Sequence, residues 1–227
     1  PMKSLTKASV FFYGLDPTSD LWADEIKSQG LEGIRFRLHY KEETFNLQVP
    51  IIGRHSIHTI LRAISVALTE GLTWGEIITG LRHASSQLRL VAVQTRQGAL
   101  LLDDTYNASP ESMLAALNLL NELPGRKIAV LGGMNELGPY ELAGHQMVGM
   151  RAAEVLDRLI TYRENGRMIS DAAIDAGLPA SSVENIEDEN ELISRLDSIL
   201  LAGDIVLVKG AHSLHMDAIV QALEVEE

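Results

Sequence analysis

Residues 100–117 read LLLDDTYNASPESMLAAL, and this stretch sets the fold. The leucines close a buried strand, predicted over residues 99–102, and two aspartates follow at its carboxyl end. Ser109 is a good N-cap, Pro110 fits the first helical position, and Glu111 suits the positive helix end. The spacing then predicts a helix over 110–120. A buried strand that leads through a polar turn into a helix is the repeating unit of an α/β fold.

The pattern continues on both sides. Strands are predicted over 90–93, 128–131, 158–162 and 204–209, the second ending in Gly132 and Gly133. Helices are predicted over 140–155, 166–176 and 190–201, and a last helix buries Met216, Ile219, Val220 and Leu223. The acidic run ENIEDENE, residues 184–191, reads as a solvated loop and helix start. Strands alternating with helices imply a mainly parallel sheet covered on both faces.

The first third differs. Val10 to Tyr13 is a short apolar run. Residues 34–40 and 44–49 alternate apolar and polar as the two strands of a hairpin. Ile57, Ile60, Leu61, Ile64 and Leu68 form one helical face that Gly71 stops, and Thr73 caps a second helix. The ASSQ linker places a boundary near Ser85, giving units 1–85 and 86–227.

The chain has 227 residues, no cysteine, and a net charge of -12 from 31 acidic and 19 basic residues. Disulfide, thiolate and cysteine–zinc chemistry are excluded. The acidic balance argues against nucleic-acid binding, and no apolar run approaches the roughly 18 residues of a membrane helix.

In a parallel sheet, ligands bind beyond the carboxyl ends of the strands. Four such ends are polar or glycine-rich: DDTYNASP, GGMNELG, YRENG and KGAHS. Two carboxylates at the first of these repel phosphate, and Glu111 already occupies the helix dipole. That turn suits hydroxyl or ammonium donors, such as a ribose diol or an amine, with Asp104 as the acceptor.

The string DDTYNASPESMLAAL resembles the DDSYNANPxSMxAAL segment of UDP-N-acetylmuramoyl-tripeptide–D-alanyl-D-alanine ligases, the MurF type of Mur ligase. Other segments agree in order: GRHSIHTILRAISVAL, LRLVAVQ, LGGMNELGPYELAGHQMVG and LVKGAHSLHMDAIV. The resemblance implies the last part of a central ATP-binding domain followed by a Rossmann-like carboxyl-terminal domain. It also implies a bacterial cytoplasmic enzyme of peptidoglycan precursor synthesis. ATP would phosphorylate the carboxylate of UDP-N-acetylmuramoyl-tripeptide, and the amine of D-alanyl-D-alanine would attack the acyl phosphate.

By the same resemblance, Asp104 would bind the ribose hydroxyls of ATP and Arg89 would reach the nucleotide. His55, Ser56 and Thr59 match positions near adenine. Tyr106, Asn107, Lys209 and His212 match substrate-facing positions, while His145 reads as structural. No G-x-x-x-x-G-K-[ST] phosphate loop is present. The phosphate and Mg2+ ligands are therefore expected upstream of Pro1, in an amino-terminal portion of the same protein, and the chain alone is expected to be inactive.

Several positions depart from the family pattern. Ser56 and Thr59 stand for two asparagines, Leu88 for a glycine, Gly133 for an aspartate, and Ala211–His212 for Ser-Arg. Two alternatives therefore stand beside the D-alanyl-D-alanine ligase: another Mur-type amide ligase with a different amino substrate, and a non-catalytic nucleotide- or partner-binding module.

Overall fold

The computed structural model describes residues 6–82 and 91–225. The chain divides into two compact units, Pro1–Leu88 and Arg89–Glu227. Ser85, Leu88 and Arg89 lie outside the described residues.

In the first unit, β1 (Tyr13–Gly14), β2 (Leu21–Ser28), β3 (Ile34–Tyr40) and β4 (Glu43–Val49) form a sheet in sequential order. β1 runs parallel to β2, and the remaining pairs are antiparallel. Alternation puts Leu21, Ala23, Ile34, Phe36, Leu38, Leu47 and Val49 on one buried face. That face packs on Ile57, Ile60, Leu61 and Ile64 of α1 (Ile57–Thr69) and on Ile77 and Leu81 of α2 (Trp74–Arg82). The hairpin and both helices match the sequence expectation.

β2 was not foreseen. Its pairing with β3 shifts register between Asp24 and Lys27, where Glu25 has a φ of 48°. The bulge breaks the period of two that would have revealed the strand. On the polar face, Arg37 donates from Nε and Nη2 to the two Asp24 oxygens, each at 2.8 Å. Those bonds hold the Asp24 carboxyl down at about 2. The indole of Trp22 stacks on the His39 imidazole, with ring centres 3.8 Å apart.

The second unit is an α/β sandwich. Its strands are β5 (Val91–Gln94), β6 (Leu100–Asp104), β7 (Lys127–Gly132), β8 (Arg158–Tyr162), β9 (Val183–Ile186) and β10 (Ile205–Lys209). They lie in the order β5-β6-β10-β7-β8-β9. All pairs are parallel except β5 with β6. The helices are α3 (Pro110–Glu122), α4 (Glu141–Val155), α5 (Arg167–Asp175), α6 (Glu189–Ile199) and α7 (Asp217–Leu223).

α4 packs between α3 and α5 in one layer, and α6 packs with α7 in another. Leu192 and Leu196 of α6 and Ile219, Val220 and Leu223 of α7 share a core with Leu101, Val130, Ile160, Val206 and Val208. Burial of each such side chain contributes about 1.5–3 kcal/mol.

Two expectations change here. Asp103 and Asp104 are the last residues of β6 instead of following it. The acidic run begins inside the sheet: Glu184 to Ile186 belong to β9, and Asp188 caps α6 by accepting from the Glu191 N–H at 2.9 Å. Glu184 is tolerated in an edge strand because Arg195 donates to both its oxygens and Arg158 donates to Oε1.

β10 is tied to its neighbours at its amino end. Arg126 donates to both Asp204 oxygens and to the Ile199 carbonyl. At the other end, β7 and β10 leave the sheet through glycines. A side chain on Gly210 would meet the Met216 Sδ at 2.4 Å, and one on Gly132 would meet Leu214 at 2.3 Å. The two glycines leave the room that the Leu214 and Met216 side chains fill against the strand ends.

Candidate functional site

β6 and β10 are neighbours whose chains leave in opposite directions. β6 continues into α3 in one helix layer, and β10 continues into α7 in the other. Adjacent strands that part in this way open a crevice at their carboxyl ends, the usual ligand position in a parallel sheet. The four polar strand ends foreseen in the sequence all lie on this edge, because β6, β7, β8 and β10 are mutually parallel.

Asp104 and Lys209 are register partners across β6 and β10 and lie on the same sheet face. The Lys209 Nζ lies 2.6 Å from Asp104 Oδ2 and donates to the Asn107 carbonyl at 2.8 Å. The Lys209 side chain is 1% exposed and that of Asp104 is 16% exposed. A buried ammonium is costly unless paired, and here the cation joins two strands and the following turn. Asp103 alternates to the other face and accepts from the Thr105 N–H at 3.0 Å and its hydroxyl at 2.7 Å. The two aspartates thus have separate tasks: Asp103 shapes the turn, and Asp104 stays at the crevice.

The turn leads directly into α3. Ser109 and Ser112 form a reciprocal capping box, each side chain accepting from the other's backbone N–H. Asn107 accepts from the Ala108 N–H through Oδ1 at 2.8 Å. Tyr106 projects outward at 55% exposure, and its ring centre lies 5.6 Å from that of His212. His215 continues this ring cluster, 6.0 Å beyond His212. Asn135, after β7, donates to Ser213 at 2.8 Å and ties the segment after β10 to the next strand end.

Backbone strain gathers on the same edge. Among the described residues of the second unit, the non-glycine residues with positive φ are Glu136, Arg163 and His215, each in a loop that follows a parallel strand. Such conformations cost of order 1–3 kcal/mol each and cluster where a site must be held in shape.

The remaining expected residues fall elsewhere. His55, Ser56 and Thr59 lie at the start of α1, in the first unit. His55 and Thr59 are exposed. Ser56 is 6% exposed, and its hydroxyl donates to the Ile52 carbonyl at 2.7 Å, so it braces the approach to α1 from within. Lys209 likewise lies beneath the edge instead of facing outward. Among the described residues, no group of three or more histidine, aspartate and glutamate side chains is placed to hold a metal ion. No helix among the described residues is long and apolar enough to cross a membrane.

The sequence did not reveal the clamp from Lys209 to Asp104 and Asn107. Its only signal was a lysine ending an otherwise apolar strand, and a solvated lysine leaves the same trace.

A doubly wound sheet with a carboxylate at its switch point and a capped helix beyond it defines a Rossmann-like domain. The family profile described as Mur ligase, glutamate ligase domain matches residues 88–212. The chain is 34% identical over 197 residues to the UDP-N-acetylmuramoyl-tripeptide–D-alanyl-D-alanine ligase of Escherichia coli, covering 85% of this chain and 42% of that protein. It is 36% identical over 219 residues to the ligase of that name from Synechocystis, covering 93% and 48%. A crystal structure of MurF from Acinetobacter baumannii superposes with a TM-score of 0.78 at 26% identity, covering 92% of this chain and 45% of that one. MurF from Thermotoga maritima, solved in complex with ADP, shares the fold with a TM-score of 0.75 at 22% identity.

The chain belongs to the Mur ligase family, and these relatives are of the MurF type. It spans about half the length of the curated relatives it matches.

Proposed function

We propose that this chain is the carboxyl-terminal half of an ATP-dependent ligase that joins D-alanyl-D-alanine to UDP-N-acetylmuramoyl-tripeptide in the bacterial cytoplasm. Residues 1–85 would be the end of its central domain and residues 86–227 its Rossmann-like domain. The observation that carries the reading is Asp104. It is a carboxylate held at the mouth of a switch-point crevice, in a chain 34–36% identical to ligases of that name.

The chemistry divides between the two halves. A peptide carboxylate is a poor electrophile, and phosphorylation gives it a leaving group. Handling a triphosphate needs phosphate-binding backbone and Mg2+, and this sequence has no G-x-x-x-x-G-K-[ST] loop. Those parts belong upstream. In this reading Asp104 accepts hydrogen bonds from the ribose hydroxyls of ATP. Tyr106, Asn107 and His212 border the reacting groups. Their contribution is positioning, which lowers the barrier by fixing the reactants in an attack geometry.

Titrating ATP into the complete polypeptide and its Asp104→Ala variant tests the assignment. The variant is expected to bind at least about tenfold more weakly, the effect of losing hydrogen bonds to a charged acceptor. Equal affinity would remove Asp104 from the site.

A further inference from the structure

We infer that Lys209 is a positioning residue that orients Asp104 and the turn before α3 for nucleotide binding, without touching the nucleotide itself. The inference rests on the reading of Asp104 as the ribose acceptor. It goes beyond that reading by assigning the geometry of the acceptor to a buried cation on the neighbouring strand.

Three observations converge. The Lys209 side chain is 1% exposed, so its ammonium does not present a charge to solvent. Its contacts span three segments: it starts from the end of β10, pairs with Asp104 Oδ2 at the end of β6, and donates to the Asn107 carbonyl in the turn. That turn ends two residues later at Ser109, the cap of α3. One cation therefore fixes the carboxylate and the entry to the helix together.

The arrangement also answers an electrostatic difficulty. An unbalanced carboxylate at this edge would repel a nucleotide's phosphates. A cation 2.6 Å away neutralises that charge without removing the carboxylate as a hydrogen-bond acceptor. An apolar side chain of the same length at position 209 would fill the space but would neither aim Asp104 nor balance its charge.

The test uses the complete ligase and the ratio of kcat/KM for ATP to that for 2′-deoxy-ATP and 3′-deoxy-ATP. Asp104→Asn sets the value of the ratio without the charged acceptor. Lys209→Met is expected to lower the ratio about tenfold, toward the Asp104→Asn value, with folding checked by thermal melting. A wild-type ratio in Lys209→Met, with a lowered ratio in Asp104→Asn, would overturn the positioning role and leave the ribose reading intact. A wild-type ratio in Asp104→Asn would overturn both. Should Lys209→Met fail to fold, nitrogen-15 spectra of the lysine ammonium groups in the 227-residue chain decide. One slowly exchanging ammonium signal is expected in the wild type and is lost in Asp104→Asn. An unchanged signal in Asp104→Asn would overturn the inference.

Discussion

His145 joins α4 to the loop after β7: its Nε2 accepts the Met134 N–H at 2.9 Å, and its Nδ1 donates to the Glu141 carbonyl at 2.7 Å. Those partners fix a neutral ring with the proton on Nδ1. The side chain is fully buried, so the histidine that the sequence read as structural has a defined task. His145→Ala is expected to leave the Met134 N–H without its acceptor and to cost about 1–3 kcal/mol, read by urea unfolding. A loss below about 0.5 kcal/mol, the range of surface substitutions, would show that the bond does not hold the loop.

Ser109 gives a second, smaller expectation. Ser109→Ala removes the side-chain acceptor of the capping box and should cost about 1 kcal/mol in thermal or urea unfolding. Ser109→Asp should restore most of that loss, because a carboxylate also caps and suits the helix dipole. Failure of the aspartate to restore stability would mean that the serine acts through packing.

Gly133 stands where the resembled family pattern has aspartate, and the structure supplies a reason. A Cβ on Gly133 would come within 2.4 Å of the Asn165 Cβ. Gly133→Ala is expected to destabilise by about 1–3 kcal/mol, the range for overpacking a filled interior. Combined with Asn165→Gly, the alanine should cost measurably less than it does alone. Strict additivity in the double-mutant cycle would show that the two positions are not coupled.

Acid stability should depend on Asp204. Burial opposes ionisation of its carboxyl, but hydrogen bonds from Arg126 and the Leu201 N–H outweigh that, so its pKa is lowered overall. Glu184 is lowered as well, first by its hydrogen bond from Arg195. A carboxyl with a depressed folded-state pKa stabilises fully above its ordinary value of about 4, and that stability disappears as the pH falls through the folded value. Unfolding free energy should therefore decline below about pH 4, and Asp204→Asn should flatten that decline while lowering stability at neutral pH. An acid limb of unchanged slope would assign acid sensitivity to other groups.

Much of this architecture was legible in the sequence. The apolar strands β6, β7, β8 and β10 and the helices between them carry strong periods, and their order alone implies a parallel sheet with its polar ends on one edge. Two strands escaped notice for physical reasons. β2 is interrupted by a bulge, and β9 is four residues long with Glu184 and Asn185 inside it. At the site, the sequence could single out Asp104 by its place at a strand end, but not the cation that holds it. Lys209 and Asp104 are far apart along the chain, and only the β10–β6 register brings them together. Ser56 shows the converse: a position matched to a ligand contact points inward once α1 packs.

The most direct test of the account is an ATP-dependent ligation assay with UDP-N-acetylmuramoyl-tripeptide and D-alanyl-D-alanine. It is run in parallel on the complete polypeptide and on the 227-residue chain. The complete protein is predicted to form the pentapeptide product together with ADP and phosphate, while the chain alone forms none. No D-alanyl-D-alanine incorporation by the complete protein, or turnover of the same order by the isolated chain, would contradict it.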